Sequence, residues 1–488
     1  MKIMNKTKQI SMHWDILLVS ITVFIGMFYF FHVSHPIYIY DTDDWTYIGY
    51  IRPLFPTTNE WNPTKILPET FLPFICKTGV IFIKSITGNY IESLSLAFAI
   101  CYSFIITIYF VFLMVAVKKV VRINKTASVL LFLTVTLLHF YIFKNGTYLF
   151  FELTINNVFN YTIPNLFNII LVLMLMTYRR RLYELKPVLK GGFILLVYMC
   201  INSNLYSNVI LMSYIGTELL FDIYTGVEGK NWFLLIKNRL LELAICFVWI
   251  GSLIFEVNGD RAKSNASISI VKNLKTTVKA FIDSLHTFRY GAYLIMLFCV
   301  LLYIMITIQN SKDNQNAKLL RKINKNIIMV ILSLIYLMVL SSKVNPAYLA
   351  RSSVMFTWMF GLILSFCYCY GYLLSKYSAS EILLFVSFYA IFLKTSIHSS
   401  YLDIGQYRPD INKAVSEYIY NQVTEAYSRG QYDVDVLVPK YDSSDNFPIA
   451  LYGGDRIANT LFNHGVTHRR MNITLIPDDK VNEMFHFD

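Results

Sequence analysis

Charged residues are scarce in this chain of 488 residues: Asp, Glu, Lys and Arg make up 15% of it, whereas hydrophobic residues make up 55%. The core of a water-soluble protein cannot bury so much apolar surface, and the mean hydropathy of +0.48 agrees with this. Many apolar runs reach the length that spans a bilayer. The composition therefore excludes an ordinary water-soluble protein and predicts a polytopic membrane protein.

Cysteine is also scarce, and the predicted outer loops contain none. All seven cysteines lie in or beside apolar segments, without a His or acidic partner at metal-ligand spacing: Cys76, Cys101, Cys200, Cys246, Cys299, Cys367 and Cys369. We interpret them as small buried hydrophobic residues. We therefore expect neither disulfides in the outer loops nor a cysteine metal site.

A glycine-rich phosphate-binding loop is missing as well, so the sequence predicts no nucleotide site. The net charge of +12 comes from 43 Lys and Arg against 31 Asp and Glu. Most of these basic residues fall in short loops between apolar runs, which is the distribution that sets membrane topology. We therefore expect the lipid bilayer, and not a nucleic acid, as the partner of the basic residues.

The apolar runs predict about eleven transmembrane helices, with the N-terminus in the cytoplasm because lysines precede the first run. Residues 192–221 are counted as two short passes that turn at 202–208. The segment at 69–86 follows Pro68 and is interrupted by Pro73, Lys77 and Lys84, so we expect it to lie along the membrane surface. The predicted spans are 16–33, 91–117, 127–143, 165–178, 192–221 (two), 240–257, 292–308, 327–340, 354–374 and 382–397.

The outer loop at 258–290 departs from this topology because it is rich in Lys and Arg. Residues 268–286 have apolar positions at helical spacing. This pattern predicts a surface helix close to phospholipid or to a phosphate-bearing ligand.

The composition changes after residue 402, so we divide the chain into a transmembrane domain at 1–402 and a small soluble domain at 403–488. The pattern in the second domain predicts a helix at 409–429 and strands at 433–439 and 471–476. The sequence Gly453-Gly454-Asp455 predicts a turn. We expect a small C-terminal α/β domain outside the cytoplasm that packs on the membrane domain.

The stretch that follows the first apolar run is the strongest candidate for a functional site. Asp41, Asp43 and Asp44 lie within four residues at a bilayer edge, where an acidic cluster serves no packing purpose. A carboxylate there can act as a general base on a hydroxyl group, and adjacent residues of an extended chain cannot both face one site. We therefore predict that Asp43 or Asp44 is the base, while the other binds substrate or caps a helix.

Helix capping alone is the alternative reading of this cluster, since any of the three aspartates can cap a helix that begins near Trp45. A cap needs only one aspartate, however, which leaves the other two unexplained. The candidate substrate-binding residues in this stretch are Asp41, Trp45, Arg52, Trp61 and Glu69.

Two further outer segments carry polar residues suited to a ligand. Glu152 and Asn156 are candidates for binding sugar hydroxyls, beside aromatic residues that either stack on a ring or form an interfacial belt. Lys343, Tyr348 and Arg351 are candidates for binding a substrate phosphate. Arg grips phosphate with two donors, although a lone Arg at a membrane turn also arises from snorkelling.

This organisation resembles that of the GT-C glycosyltransferases, which use polyprenyl-phosphate sugars. The shared features are an acidic motif at 41–45 directly after the first span, a following interfacial helix, about eleven spans and an outer C-terminal domain. More narrowly, the chain is similar to the phage-type serotype-converting glucosyltransferases of bacterial O-antigen. The resemblance covers the whole chain as architecture and residues 41–45 as a motif.

The resemblance implies an all-α, GT-C-like domain in the bacterial inner membrane, with the active site and the C-terminal domain on the periplasmic face. It implies transfer of a hexose, glucose in the narrower group, from undecaprenyl phosphate to a hydroxyl of lipid-linked O-antigen, a part of lipopolysaccharide. A first-loop acidic residue is the base in that class, which corresponds here to Asp43 or Asp44, and Arg351 would hold the donor phosphate. A nucleotide is not needed, because the phosphate ester supplies the energy. The spacing of Asp43 and Asp44 would allow a divalent metal, but the resemblance implies none.

Two other functions remain open on the sequence alone. An O-antigen polymerase also joins lipid-linked sugars and relies on cationic outer loops, such as the one at 258–290. A transporter or flippase of lipid-linked saccharides is expected to show internal repeats and ionisable residues in mid-span. Here Glu218 and Glu242 lie toward the cytoplasmic ends of their spans, and no repeat is visible.

Overall fold

The computed structural model describes residues 13–55, 61–144, 146–224, 236–258, 269–309, 314–377, 408–440 and 448–485. Within these ranges the chain is mainly helical, and its sheet consists of two parallel strands. The described residues therefore form an all-α polytopic membrane protein with a small α/β unit near the C-terminus.

Ten α-helices lie in the described residues up to 224, and we number them in chain order. Residues 63–87 form one continuous helix, which includes a 3-10 turn at Pro63–Lys65 and a π-helical turn at Gly79–Ile83. Residues 155–183 also form one continuous helix, which includes a π-helical turn at Val158–Thr162. The α-helices are α1 (Trp14–Tyr29), α2 (Thr42–Tyr47), α3 (Ile66–Thr78), α4 (Lys84–Thr87), α5 (Tyr90–Val120), α6 (Lys125–Tyr141), α7 (Ile155–Asn157), α8 (Ile163–Tyr183), α9 (Pro187–Ile201) and α10 (Leu205–Tyr224).

The later part of the chain completes the bundle and forms the C-terminal unit. A 3-10 turn at Pro346–Ala350 joins two long helices. The elements are α11 (Leu240–Asn258), α12 (Ile270–His286), α13 (Tyr290–Gln309), α14 (Asn314–Val344), α15 (Ser352–Lys376), α16 (Pro409–Ser428), β1 (Asp433–Pro439), α17 (Gly454–Asn463), β2 (Asn472–Asp478) and α18 (Asp479–Phe485). Helix α12 confirms the helix predicted at 268–286, while its position at the membrane surface stays a prediction.

Eight described helices are long and apolar enough to cross a membrane: Trp14–Ser34, Pro63–Thr87, Tyr90–Val120, Ile155–Tyr183, Leu240–Asn258, Tyr290–Gln309, Asn316–Val344 and Ser352–Lys376. Helices α9 and α10 form a further apolar pair that bends by 118° at their junction, and α6 is a shorter apolar helix. This bend coincides with the turn predicted at 202–208. The predicted span at 382–397 lies outside the described residues, so the total of about eleven remains a prediction.

The helix at 63–87 is long and apolar enough to span a membrane, and both of its ends are anchored by lysine side chains. At one end, Lys65 Nζ donates a hydrogen bond to Asn160 Oδ1 at 3.0 Å. At the other end, Lys84 Nζ lies 3.1 Å from the hydroxyl of Tyr420 in the C-terminal unit. This helix counts among the eight candidate spans, and the placement of 69–86 along the membrane surface stays a prediction.

The helices differ greatly in how much of their apolar surface other helices cover. The most apolar windows of α15 and of the 155–183 helix are 89% and 83% buried, whereas those of α1 and α11 are 22% and 17% buried. Because lipid solvates apolar side chains as well as protein does, a helix can remain apolar on all sides. Helices α8 and α15 therefore form the centre of the bundle, and α1 and α11 lie at its perimeter.

Buried charges meet at the end of the bundle that the sequence predicts to be cytoplasmic. Glu218 receives Arg239 Nη2 at 3.0 Å and Lys325 Nζ at 2.6 Å on its two carboxylate oxygens. Arg179 Nε lies 2.7 Å from Glu242 Oε1. These carboxylates are paired with cations, as buried charges must be, and the pairs join α8 to α11 and α10 to α14 at this end.

The C-terminal unit has the order α16, β1, α17, β2, α18, with Asp433 of β1 opposite Asn472 of β2. The predicted helix and the first predicted strand are confirmed, while the second strand starts and ends slightly later than expected. The predicted turn at residues 453–455 is wrong, because Gly454 begins helix α17. A Cβ atom there would lie 2.0 Å from the backbone oxygen of Ile473, so glycine permits close packing of α17 on β2.

The C-terminal unit packs against the stretch that follows the first span. Thr460 Oγ1 donates to the backbone oxygen of Trp45 at 2.6 Å, and Asn463 Nδ2 donates to that of Gly49 at 2.9 Å. His464 Nε2 donates to the backbone oxygen of Ile48 at 2.9 Å. These contacts attach α2 and the residues after it to the C-terminal unit, which fixes the position of the acidic cluster.

Candidate active site

Asp41 caps helix α2. Its Oδ1 accepts a hydrogen bond from the backbone N–H of Asp44 at 2.9 Å, and its backbone is extended, as is usual for an N-cap residue. The capping alternative is therefore correct for one of the three aspartates, although the helix begins at Thr42 rather than near Trp45.

Asp44 is fully buried and joins two segments that are distant in sequence. Its Oδ2 accepts from the backbone N–H of Tyr40 at 2.8 Å, and its Oδ1 accepts from the backbone N–H of Asn156 at 2.8 Å. Burial, together with the negative charge of Asp41, raises the pKa of Asp44 well above its usual value, while the two backbone donors oppose this shift. Asp44 therefore has a structural role and is not accessible to a substrate.

Asp43 occupies a different environment from its two acidic neighbours. Its side chain is exposed and lines a cavity of about 420 Å³. Within the described part of the chain it makes no hydrogen bond or ion pair, so its carboxylate is available to a ligand. Because α2 turns by about 100° per residue, Asp43 and Asp44 face different directions, and only Asp43 faces the cavity.

The cavity is lined by residues from α2, the start of the 63–87 helix, the 155–183 helix, the junction of α9 and α10, and the turn before α15. Almost all of its lining atoms are polar or belong to tyrosines. The lining residues are Asp43, Tyr47, Arg52, Asn62, Lys65, Glu69, Asn156, Asn157, Asn160, Tyr161, Asn204, Tyr348 and Arg351. Six of the residues predicted from sequence thus meet in one cavity: Asp43, Arg52, Glu69, Asn156, Tyr348 and Arg351.

Arg351 is half-buried at the turn before α15. Its guanidinium carbon lies 4.4 Å from the ring centroid of Tyr348 and 5.3 Å from that of Tyr161, which are cation–π distances. Among the described residues, no hydrogen bond or ion pair engages its guanidinium. The two rings orient the guanidinium while leaving its N–H groups available to an anion.

Glu152 lies behind Arg351 and is buried. Burial raises the pKa of the Glu152 carboxyl to about 7, while the charge of Arg351 and a hydrogen bond from the Ser353 hydroxyl act in the opposite direction. Glu152 does not line the cavity, so it is placed to influence Arg351 rather than to contact a sugar.

A second group of charges lies on the opposite wall. Arg52 Nε donates to Glu69 Oε2 at 2.5 Å, and Lys65 Nζ lies 3.8 Å from Glu69 Oε1 and 3.0 Å from Asn160 Oδ1. Glu69 thus holds two cations at the cavity edge. With Arg351 they give the lining three cations against the two carboxylates of Asp43 and Glu69, which favours an anionic ligand.

Several lining residues were not predicted as site residues, and most of them are amides. Asn160 Nδ2 donates to Asn156 Oδ1 at 2.6 Å, and Asn204 Nδ2 donates to the backbone oxygen of Asn160 at 2.8 Å. The signal that could have revealed them is polar residues at the ends of otherwise apolar helices. The residues missed are Tyr47, Asn62, Lys65, Asn157, Asn160, Tyr161 and Asn204.

Three candidates from the sequence lie away from the cavity. Trp45 is 1% exposed and packs in the core, so its ring is not accessible to a sugar. Trp61 donates its indole N–H to the backbone oxygen of Pro53 at 3.2 Å and does not line the cavity. Lys343 ends α14 and is absent from the lining. Together with Asp41, Asp44 and Glu152, they are the six predicted site residues that do not line the cavity.

The described residues contain no group of three or more His, Cys, Asp or Glu side chains that could hold a metal ion. His464 is engaged in packing, because it also accepts a hydrogen bond from the Tyr90 hydroxyl at 2.7 Å. Its burial lowers the pKa of the imidazole to about 4. The chemistry of the cavity therefore derives from one exposed carboxylate, three cations and a set of amides and hydroxyls.

Fold and site together define a polytopic α-helical membrane protein with a polar, charged cavity at one end of its helix bundle. Comparison of the chain with models of protein families, with curated proteins and with solved structures finds no match in any of the three. What the cavity does must therefore be argued from its own residues.

Proposed function

We propose that this chain is a membrane glycosyltransferase of the GT-C type, located in the bacterial inner membrane. It would transfer a hexose, glucose by the resemblance of its sequence, from an undecaprenyl-phosphate carrier to lipid-linked O-antigen on the periplasmic face. The observation that carries the proposal is the presence of the exposed Asp43 carboxylate and the Arg351 guanidinium in one polar cavity.

In this proposal Asp43 acts as the general base. Its carboxylate takes the proton of an acceptor hydroxyl while that oxygen forms a bond to the anomeric carbon of the donor sugar. The bond between the anomeric carbon and the phosphate oxygen breaks, and undecaprenyl phosphate leaves with the bonding electrons. Asp43 is suited to this step because it is exposed in the cavity, in contrast to the buried Asp44.

Arg351 and Lys65 are the proposed partners of the donor phosphate. Arg351 is oriented by Tyr348 and Tyr161, and Lys65 is held by Glu69 and Asn160 on the facing wall. Positive charge here would stabilise the negative charge that develops on the leaving phosphate. The neighbouring amides, with Asn156 and Asn204 among them, supply donors and acceptors for sugar hydroxyls.

The described residues favour transfer over the two alternatives. A polymerase that uses the cationic outer segment should place those cations at the cavity, but none of its lining residues comes from α12. A transporter should have ionisable residues in mid-span, whereas Glu218 and Glu242 are paired with cations at the predicted cytoplasmic end.

The deciding experiment compares Asp43→Asn with wild type in a host that makes lipid-linked O-antigen, with the mass of the O-antigen repeat as the readout. We expect wild type to add one hexose per repeat and Asp43→Asn to slow transfer by about a hundredfold or more. Asp435→Asn is the matched control, since Asp435 is an exposed carboxylate on β1 outside the cavity.

Membrane insertion of each variant is measured in parallel by detergent extraction and chromatography. If wild type changes chain length but not repeat mass, the polymerase becomes the better account. If well-inserted Asp43→Asn adds hexose as fast as wild type, Asp43 is not the base and the proposal fails.

A further inference from the structure

A second cavity lies within the helix bundle and shares no lining residue with the Asp43 cavity. It has a volume of about 280 Å³ and lies between α6, α13, α14 and α15. Its lining is almost entirely apolar, with Leu138, Ile295 and Met359 among its side chains. The Tyr303 and Ser365 hydroxyls in the lining donate to Asn324 and Gly361, so the surface open to a ligand is hydrocarbon.

The shape of this cavity follows the bundle axis. Its lining on α13 runs from Ala292 to Tyr303, which corresponds to roughly 17 Å of helix. Only 28% of the most apolar window of α13 is buried, so the helix that forms one wall is also in contact with lipid. A long, narrow apolar space beside the bilayer fits a single hydrocarbon chain.

Two cations lie at the outer mouth of the cavity. Arg289 donates its backbone N–H to the oxygen of Ile142, a lining residue, and it comes one helical turn before Ala292. The backbone N–H of Lys144 donates to the oxygen of Thr287 at 2.7 Å, which places Lys144 on the same rim. Its ammonium group is exposed and lies 4.6 Å from the ring centroid of Tyr290.

The rim belongs to the end of the bundle that carries the Asp43 cavity, because α12 packs on the turn that contains Tyr348. This end has more positive charge than membrane topology requires, since α12 also exposes Lys272, Lys275 and Lys279. An anionic headgroup at this depth would offset that charge, since Lys and Arg side chains are attracted to anionic lipid surfaces.

We propose that this second cavity is a binding site for an anionic glycerophospholipid, with one acyl chain between α13 and α15 and the phosphate at Lys144 and Arg289. The position argues against the sugar donor as the occupant. A donor bound here would have its phosphate away from Asp43, because α15 lines the second cavity with residues between Met359 and Cys369, whereas the Asp43 cavity reaches only Arg351, directly before that helix. The inference does not depend on the proposed transferase activity.

The test titrates the purified full chain in detergent with phosphatidylglycerol or phosphatidylcholine of identical acyl chains and counts bound lipids by native mass spectrometry. We expect phosphatidylglycerol to bind more tightly, and Lys144→Gln to weaken it by about fivefold. Lys275→Gln is the matched control, because it removes an exposed lysine of α12 on the same side of the membrane but away from the rim.

Two further measurements locate the acyl chain. A phosphatidylglycerol with a photoactivatable group in its acyl chain should crosslink to lining residues such as Ile295 and Met359, and Ala292→Trp should reduce this crosslinking by filling the cavity. Equal binding of both lipids, equal effects of Lys144→Gln and Lys275→Gln, or crosslinks outside the lining would overturn the proposal. Preferential binding of undecaprenyl phosphate over phosphatidylglycerol at this site would also overturn it.

Discussion

The carboxylate of Asp44 accepts a hydrogen bond from the backbone N–H of Asn156 at 2.8 Å, and this contact joins two segments that are 112 residues apart in the chain. Asp43 directly precedes Asp44, and Asn156 lines the cavity, so the contact helps to set the distance between the two cavity walls. Two adjacent carboxylates therefore have different roles: Asp44 holds the walls together, and Asp43 faces the space between them.

Asp44→Asn should destabilise the protein. The amide NH₂ group must face one of the two backbone N–H groups that Asp44 now accepts, which leaves a buried donor unsatisfied at a cost of about 1–3 kcal/mol. Thermal unfolding in detergent measures this loss. Asp43→Asn, which changes an exposed side chain, should stay within about 0.5 kcal/mol of wild type. Equal melting temperatures for wild type and Asp44→Asn would contradict the structural role.

The sequence alone could locate the acidic cluster but could not distinguish its members. Asp44 differs from Asp43 because it accepts a hydrogen bond from Asn156. The residues of the first loop cannot predict a partner that lies 112 residues further along the chain. For the same reason Lys65 and Asn204 were missed, since each reaches the cavity through packing of helices that are distant in sequence. Arg351 was accessible to prediction because an Arg at the start of an apolar span has few structural uses.

Arg351 and Lys343 are both predicted from the sequence to bind the donor phosphate, but only Arg351 lines the cavity. Arg351→Lys should raise the KM for the lipid-linked donor by about tenfold, because Lys cannot form the paired contacts that a guanidinium makes with phosphate. Lys343→Gln should leave KM unchanged, since Lys343 lies outside the lining. Initial rates against donor concentration provide the measurement. A larger effect for Lys343→Gln than for Arg351→Lys would place the phosphate elsewhere.

Glu152 should make stability depend on pH. Its folded pKa of about 7 lies above the ordinary value of 4.5, so the folded chain binds the proton more strongly than the unfolded chain does. The free energy of unfolding is therefore highest below 4.5 and decreases as the pH rises to about 7. Glu152→Gln removes this contribution.

Melting temperatures of wild type and Glu152→Gln over that pH range test this prediction. Since all other groups titrate in both proteins, the difference between them isolates Glu152. The wild type should lose stability relative to the variant as the pH rises. Parallel curves would show that Glu152 is hydrated or fully compensated by Arg351 and Ser353.

The fold was more predictable than the site, because the bilayer imposes simple rules. Apolar runs of sufficient length predicted most of the helices, and alternation predicted strand β1 within its observed limits. The docking of the C-terminal unit on residues 45–49 could not be predicted, since it depends on shape complementarity at Gly49 and Thr460 rather than on a local pattern.

Gly49→Ala tests whether this docking positions the active site. A Cβ atom at Gly49 would lie 2.3 Å from Thr460 Oγ1, so either the hydrogen bond from Thr460 to Trp45 breaks or α17 moves, at a cost of about 1–3 kcal/mol. We expect faster limited proteolysis of the C-terminal unit and slower hexose transfer. Gly191→Ala is the control, since its Cβ would contact nothing within 4 Å. If both variants resist protease equally, Gly49 is not needed for docking; if only Gly49→Ala is cleaved faster yet transfer is unchanged, the C-terminal unit does not position Asp43.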